Sequence, residues 1–332
     1  MTCGAPPLAA ITGGGGFLGR HVASALSRDG WRLRLLVHRS PAPPLAAGSA
    51  PVEVVRGALD DPAALRDLVE GARAVVHVAG LTKARRQAAF FAANRDGSAR
   101  IAEAVAAAAP RARCVFISSM AAREPGLSPY AESKRAGEEA AIAALRGSGA
   151  SWVVLRPSVI YGPWDREGLA LLRLARAPLA PVPSAPEPLL AMVHAADVAD
   201  AVAAMCRDGA PDGARFEITD ARHAGYGWRE LLAVLGGLVG RGSPPRFVPV
   251  PDAAILAAGA AADAWATVTG RASLFGRGKA REFLHRKWDS TPERQPPPSV
   301  WTPRIGPRDG LRDTLEWWRA FGDDGFAATA AA

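Results

Sequence analysis

A phenol and a primary amine stand four residues apart at Tyr130 and Lys134, and a hydroxyl precedes them at Ser119. On a helix, that spacing puts both side chains on one face, one turn apart. These residue types suit a hydride transfer coupled to a proton transfer. A ketone that accepts hydride develops an oxyanion, which a neighbouring hydroxyl stabilises and a phenol protonates. An unperturbed phenol has a pKa of about 10. A nearby ammonium favours the phenolate, so Lys134 is expected to lower the pKa of Tyr130. Tyr130 alone would read as a half-buried helix tyrosine. The serine before it and the lysine after it favour the chemical reading.

Such a step needs a hydride donor and a scaffold to hold it. Leu8-Ala9-Ala10-Ile11 is a short apolar run that reads as a buried strand, and a glycine turn, Thr12 to Gly19, follows at once. A helix follows through Val22, Ala25 and Leu26, and Gly30 ends it. Residues 33–37 are the next strand, completing one βαβ unit. The alternation continues with strands at 52–55, 74–78, 114–118 and 152–155. Helices open at Asp61-Pro62, run to about Ala109, and begin again near Ser128. The strand at 114–118 therefore delivers Ser119, and the helix after Ser128 carries Tyr130 and Lys134. Near-continuous apolar strands separated by helices predict an α/β fold, a Rossmann-like doubly wound parallel sheet.

After Tyr161 the rhythm breaks. Residues 177–188 are proline-rich and read as loop, 195–202 as a helix returning to the core, and 216–218 as a short strand. From about Tyr226 onward the pattern is helical patches and loops. The expected division is a dinucleotide-binding part at 1–165, to which 190–222 returns. A smaller, mostly helical substrate-binding portion takes 166–189 and 223–332.

The glycine turn sits where a phosphate cradle must sit, after a strand and before a helix. Glycines let the backbone approach a pyrophosphate, and the helix start offers unpaired N–H groups and a positive dipole end. The glycines are Gly13, Gly16 and Gly19, with Phe17 and Leu18 inside the turn. This Gly-x-x-Gly-x-x-Gly pattern resembles the extended short-chain dehydrogenase/reductase family, of the NAD-dependent epimerase/dehydratase type. The resemblance continues along the chain in six further segments. They are His77-Val78-Ala79-Gly80, Asn94-Arg95-Asp96-Gly97-Ser98, Phe116-Ile117-Ser118-Ser119, Tyr130-Ala131-Glu132-Ser133-Lys134, Arg156-Pro157 through Tyr161-Gly162-Pro163, and Val193-His194-Ala195-Ala196-Asp197.

The resemblance implies an enzyme, an NAD(P)-dependent oxidoreductase acting on CH–OH or C=O groups. It implies Ser119, Tyr130, Lys134 and Asn94 as the catalytic set, with Lys134 on the nicotinamide ribose and Asn94 supporting the lysine and a water chain. For the cofactor it implies Gly13, Gly16, Phe17, Leu18, Gly19, Leu59, Ala79, Gly80 and Pro157, together with Tyr130 and Lys134. It also implies a homodimer through the helices near 90–109 and 128–147. The second strand ends at Val37-His38-Arg39 without the acidic residue that takes a ribose 2′-hydroxyl. His38 and Arg39 can pair a 2′-phosphate instead, so NADP(H) is favoured over NAD(H). A departure lies at Ala58, where the family commonly has an aspartate on the adenine amino group.

Substrate class rests on the variable part. Val159 stands where nucleotide-sugar members of the family usually show asparagine. A strongly apolar helix starts near Pro251, and residues 253–262 carry no charge. A buried core helix is the ordinary reading, and a lipid-facing wall of a greasy pocket the sharper one. Residues 271–294 follow with seven basic residues against three acidic ones. That is either a solvated basic face or, beside the apolar helix, a peripheral membrane-surface contact through 253–294. The expected function is reduction of a hydrophobic ketone or oxidation of the alcohol, such as a 3-oxo-sphingoid or ceramide precursor or a sterol. The alternatives are a nucleotide-sugar epimerase or dehydratase, and a non-catalytic cofactor-bound scaffold.

Composition narrows the classes further. With 332 residues, 49% hydrophobic and 22% charged, the chain is an ordinary globular one, neither disordered nor fibrous. Its net charge of +8 does not argue for nucleic acid. Only four of its forty basic residues are lysine, the signature of a compositional bias toward arginine. Cys3, Cys114 and Cys206 lie far apart and give neither a disulfide framework nor a metal site. No apolar run approaches the ~20 residues of a membrane span, and no basic leader precedes Leu8. A cytoplasmic enzyme is expected.

Overall fold

The computed structural model describes residues 5–38, 41–45, 51–84, 86–240, 243–269 and 275–321. Strand β1 (Leu8–Thr12) enters the glycine turn, α1 (Phe17–Arg28) leaves it, and β2 (Arg32–Val37) closes the first βαβ unit. Then come β3 (Glu53–Arg56), α2 (Pro62–Val69) and β4 (Ala74–His77). Asp61 caps α2 by accepting the Ala64 N–H at 3.1 Å. A short α3 (Gln87–Phe90) passes through a π-helical turn (Phe91–Asp96) into α4 (Gly97–Ala108). Next are β5 (Arg113–Ile117), two 3-10 turns, α5 (Pro129–Ala144) and β6 (Ser151–Pro157).

The remainder is β7 (Val159–Tyr161), α6 (Leu169–Arg176), β8 (Leu179–Pro183), β9 (Met192–His194), α7 (Ala195–Met205) and β10 (Ala214–Ile218). The C-terminal stretch carries α8 (Trp228–Leu238), β11 (Arg246–Val250), α9 (Asp252–Thr269), α10 (Arg277–Leu284) and α11 (Pro307–Phe321).

Seven strands form one parallel sheet in the order β3-β2-β1-β4-β5-β6-β10. The order reverses between β1 and β4, which opens a crevice at their carboxyl ends, where ligands bind in such sheets. β1, β4 and β5 are buried at every position, as strands covered on both faces must be. Alternate residues feed two cores. Ile11, Leu35, Val76 and Leu155 face α1 and α7, while Ala10, Leu36, Val75 and Val154 face α2, α4 and α5. Helix α7 packs on the first of these faces, and β10 is the seventh strand. Trp301 also joins that core and donates its indole N–H to the Asp197 carbonyl at 3.0 Å. A third core gathers Leu172, Leu231, Leu235, Leu311 and Leu315 beside the sheet.

Two expectations need correction. The proline-rich stretch is not all loop, because 179–183 is β8, which among the described residues pairs in parallel with β11 alone. Prolines are tolerated where a strand has a partner on one side only. Helix α9 is not a buried core helix. Ile255 and Gly259 are its buried positions, and most of its length is exposed.

Candidate active site

The glycine turn is held by contacts that only glycine permits. Gly13 has φ +72°, and a Cβ there would stand 2.6 Å from the Ala79 backbone nitrogen. A Cβ on Gly19 would overlap the Gly13 carbonyl. The turn is thus pressed against the exit of β4 and the start of α1. Gly16 is the N-cap of α1, with no side-chain cap and no acidic residue in the first turn. An uncapped helix start, approached by bare backbone, fits a pyrophosphate. Phe17 packs edge-on against His21 at 5.8 Å, and Leu18 is buried. These two residues fix the helix behind the turn.

The strand ends meet at the crevice. Thr12 and His77 are in register across β1 and β4 and share a 2.8 Å hydrogen bond. Burial pushes the His77 imidazole down to about 3, with Lys134 adding to the effect, so the ring is neutral. Past it lies Gly80, where a Cβ would stand 2.8 Å from Asn94 Oδ1 and 3.5 Å from Lys134 Nζ. Three predicted residues, Gly80, Asn94 and Lys134, therefore converge on one point. Asn94 is 2% exposed and sits in the π-helical turn. Its Oδ1 accepts the Leu81 N–H at 2.8 Å, and its Nδ2 donates to the Leu81 carbonyl at 3.0 Å and to Ser133 Oγ at 2.9 Å. Among the described residues it shares no hydrogen bond with Lys134; it fixes the loop after β4 instead.

Ser119 lies two residues past the end of β5, and its Oγ accepts the Ala121 N–H at 3.1 Å. Tyr130 rides the first turn of α5, which Ser128 caps through the Ala131 N–H at 3.0 Å and Pro129 opens. Lys134, one turn on, donates to the Ile117 carbonyl at 2.7 Å. Burial pushes the Tyr130 phenol up to about 12, against a lowering hydrogen bond with Ser119. This differs from the expected lowering. Desolvation dominates, and the ammonium of Lys134 is turned toward Ile117. The same burial pushes Lys134 down to about 8, with Glu138 opposing.

Other predicted residues line the periphery. Leu59 packs on the start of α4, Ala79 against the glycine turn, and buried Pro157 ends β6. His38 is exposed just beyond β2, and Arg39 lies outside the described residues.

Several residues escaped the sequence reading. Buried Glu138 accepts Ser118 Oγ at 2.5 Å, Arg156 at 2.8 and 2.6 Å, and Arg215 at 3.2 Å. It therefore ties α5 to β5, β6 and β10 directly behind Lys134. Trp164 has φ +73° and stacks under the Arg20 guanidinium at 4.4 Å, beside Trp317. Lys83 and Glu167 form a 2.8 Å ion pair between the loops after β4 and β7. For Glu138 a signal existed in hindsight: a carboxylate one turn beyond Lys134 on the same helix. For Trp164 and Lys83 none did, since irregular loops made their partners.

A crevice at the reversal of a parallel sheet, with a phenol, an amine and a hydroxyl gathered at its floor, defines an extended short-chain dehydrogenase/reductase. Comparison with known proteins gives the family by name. Residues 9–219 match the NAD dependent epimerase/dehydratase family, and the chain belongs to it. It is an NAD(P)-dependent oxidoreductase. It is 45% identical over 323 residues to a ceramide reductase of Caulobacter vibrioides, covering 97% of this chain and 98% of that protein. It is 28% identical to a dTDP-6-deoxy-L-talose 4-dehydrogenase (NAD(P)(+)) of Kitasatospora kifunensis, covering 75% and 84% respectively. The structure of MoeE5 in complex with UDP-glucose and NAD shares the fold, with a TM-score of 0.67 at 22% identity over 95% of this chain and 99% of that one.

Proposed function

We propose that the protein reduces the ketone of a long-chain lipid, of the 3-oxo-sphingoid or ceramide-precursor class, with NADPH. The observation that carries the substrate class is the near full-length match at 45% identity to a ceramide reductase. Val159, in place of the asparagine of nucleotide-sugar members, counts against sugar chemistry. In this reading, the glycine turn with Phe17 and Leu18 holds the pyrophosphate. Leu59, Ala79, Gly80 and Pro157 line the rest of the cofactor cleft. His38 and Arg39 take the 2′-phosphate, which favours NADPH over NADH. The bound reduced nicotinamide supplies the hydride. Ser119 donates a hydrogen bond to the carbonyl oxygen, where charge develops. Tyr130 gives that oxygen its proton. A phenol held protonated by burial suits a proton donor to that oxygen. Lys134 orients the nicotinamide ribose, and Asn94 holds the loop on which Gly80 sits. A ketone on so long a chain is carried by a bilayer, so membrane-surface contact through 253–294 belongs to the same reading.

The test is NADPH and NADH oxidation with a 3-oxo-sphingoid lipid, a sterol ketone and a UDP-sugar. Turnover of the keto-lipid with NADPH is expected. Turnover of the UDP-sugar alone would overturn the substrate class. Equal thermal stabilisation by NADH and NADPH at matched concentration would overturn the cofactor preference.

A further inference from the structure

Helix α9 is the large feature that the chemistry above leaves unused. Its eighteen residues carry two charges, Asp252 and Asp263, and both are engaged with the region around α10. Asp252 pairs with Arg286 at 2.9 Å, and Asp263 accepts the Arg277 N–H at 2.8 Å. On the same side, a Cβ on Gly259 would stand 2.9 Å from the Ala280 Cβ. The other side turns outward. Trp265 is 69% exposed and Val268 81%, set among the exposed Ala257, Ala258 and Ala261. A helix that is apolar all round is ordinarily buried in a core or in lipid. Among the described residues, nothing covers this face.

Resting on the reductase reading above, we propose that α9 lies flat in the interface of an anionic bilayer. The exposed basic residues in and just after α10 sit on its headgroups, and the lipid ketone enters from this edge. Charge selects the occupant. Arg277, Lys279 and Arg281 are exposed on α10, and Lys287 follows it. Basic residues beside an apolar face add attraction to anionic lipid, each strengthening binding about fivefold. The helix lies rather than crosses, since no helix among the described residues is long and apolar enough to span a membrane. A second copy fits less well. A helix this long offers a footprint of roughly 270 Å², about a third of the ~800 Å² per partner of a stable interface. Two-fold pairing would also bring two basic helices together.

The edge is tied to the catalytic helix. Glu282 of α10 accepts the hydroxyl of Ser128, the N-cap of α5 two residues before Tyr130. A Cβ on Gly278 would stand 2.8 Å from the Ser128 Cβ. A cleft of about 610 Å³ lies between residues 125–129 and the side chains of Asp263, Arg277 and Arg281. A lipid leaving the bilayer at α9 thus meets a cleft that ends beside the first turn of α5.

Co-sedimentation of the full chain with vesicles tests this without any substrate. Binding is expected to phosphatidylcholine mixed with phosphatidylglycerol and to be weaker with phosphatidylcholine alone. Lys279→Ala with Lys287→Ala is expected to weaken binding to mixed vesicles about thirtyfold. Trp265→Glu with Val268→Glu is expected to abolish it, while turnover of a short, water-soluble ketone is kept. Absence of wild-type binding to mixed vesicles would overturn the proposal, as would unchanged binding by the Trp265→Glu, Val268→Glu protein. A wild-type dimer that this variant dissociates in sedimentation velocity would assign the face to a second copy and overturn it too. Because binding is read without turnover, failure of the keto-lipid reading leaves this result standing, and the reverse holds.

Discussion

The sheet and the C-terminal portion solve opposite problems. Around the crevice, elements meet backbone to backbone. Gly13 admits Ala79, Gly19 admits the Gly13 carbonyl, and Gly137 of α5 admits the Asn94 carbonyl so closely that a Cβ would overlap it. Such contacts leave no freedom, and a catalytic group misplaced by an ångström loses much of its rate. In the C-terminal portion, Gly259 of α9 also admits backbone, that of Gly276, but the outer faces are open. There, α9 shows solvent most of its surface, and among the described residues β8 has a partner on one side only. On the proposed reading, rigidity lies where bonds change and open surface where a substrate is admitted.

The largest effect that tests this division is expected at Tyr130. Tyr130→Phe keeps the ring, its burial and its edge contact with Phe90 at 6.1 Å, and removes the proton. A drop in kcat of about 10²–10⁴ is expected, with thermal stabilisation by NADPH retained. A drop of only a few fold would move the chemistry away from the crevice and break the comparison.

A smaller effect is expected in pH dependence. Lys134 is held down to about 8 by burial, against about 10.4 for lysine in an unfolded chain. Between those values the unfolded state binds more protons, so stability rises with pH, by up to about 1.4 kcal/mol per unit. Below the window both states are protonated and the burial penalty is constant. The Lys134 contribution is therefore fully present above the unfolded value and lost as pH falls through about 8. Urea unfolding of the wild type and Lys134→Met across this range measures it. Equal slopes would mean that Lys134 is solvated, and that the crevice is no drier than the surface around α9.

What the sequence made legible follows the same division. The strands of the sheet are continuous apolar runs, the glycine turn has a fixed spacing, and Ser119, Tyr130 and Lys134 follow from strand end and helix period. Each is a local pattern, and the resemblance to the family supplies the roles of the three side chains. The π-helical turn that holds Asn94 on Leu81 and Ser133 has no such pattern, because its partners are distant in sequence. The rise in the Tyr130 pKa was hidden as well: spacing places Lys134 nearby but says nothing of how dry the site is. β8 was missed because its pairing with β11 spans more than sixty residues and runs through Pro181 and Pro183, which ordinarily mark a loop. For α9, the apolar composition was plain, but burial depends on what packs against it, and that is a tertiary fact.

The smallest expected effect is at Val268. At 81% exposure, its side chain has little contact to lose. Val268→Ala is therefore expected to leave the free energy of unfolding within about 0.5 kcal/mol, as for surface substitutions generally. Chemical denaturation of the protein without lipid measures this. A cost above about 1 kcal/mol would mean that the folded chain itself covers this end of α9. The apolar face would then be structural, and the contrast between a rigid site and an admitting surface would fail at the point where it is drawn most sharply. An unchanged stability, in a protein whose vesicle binding nonetheless weakens, would give Val268 an effect felt only when a membrane is present.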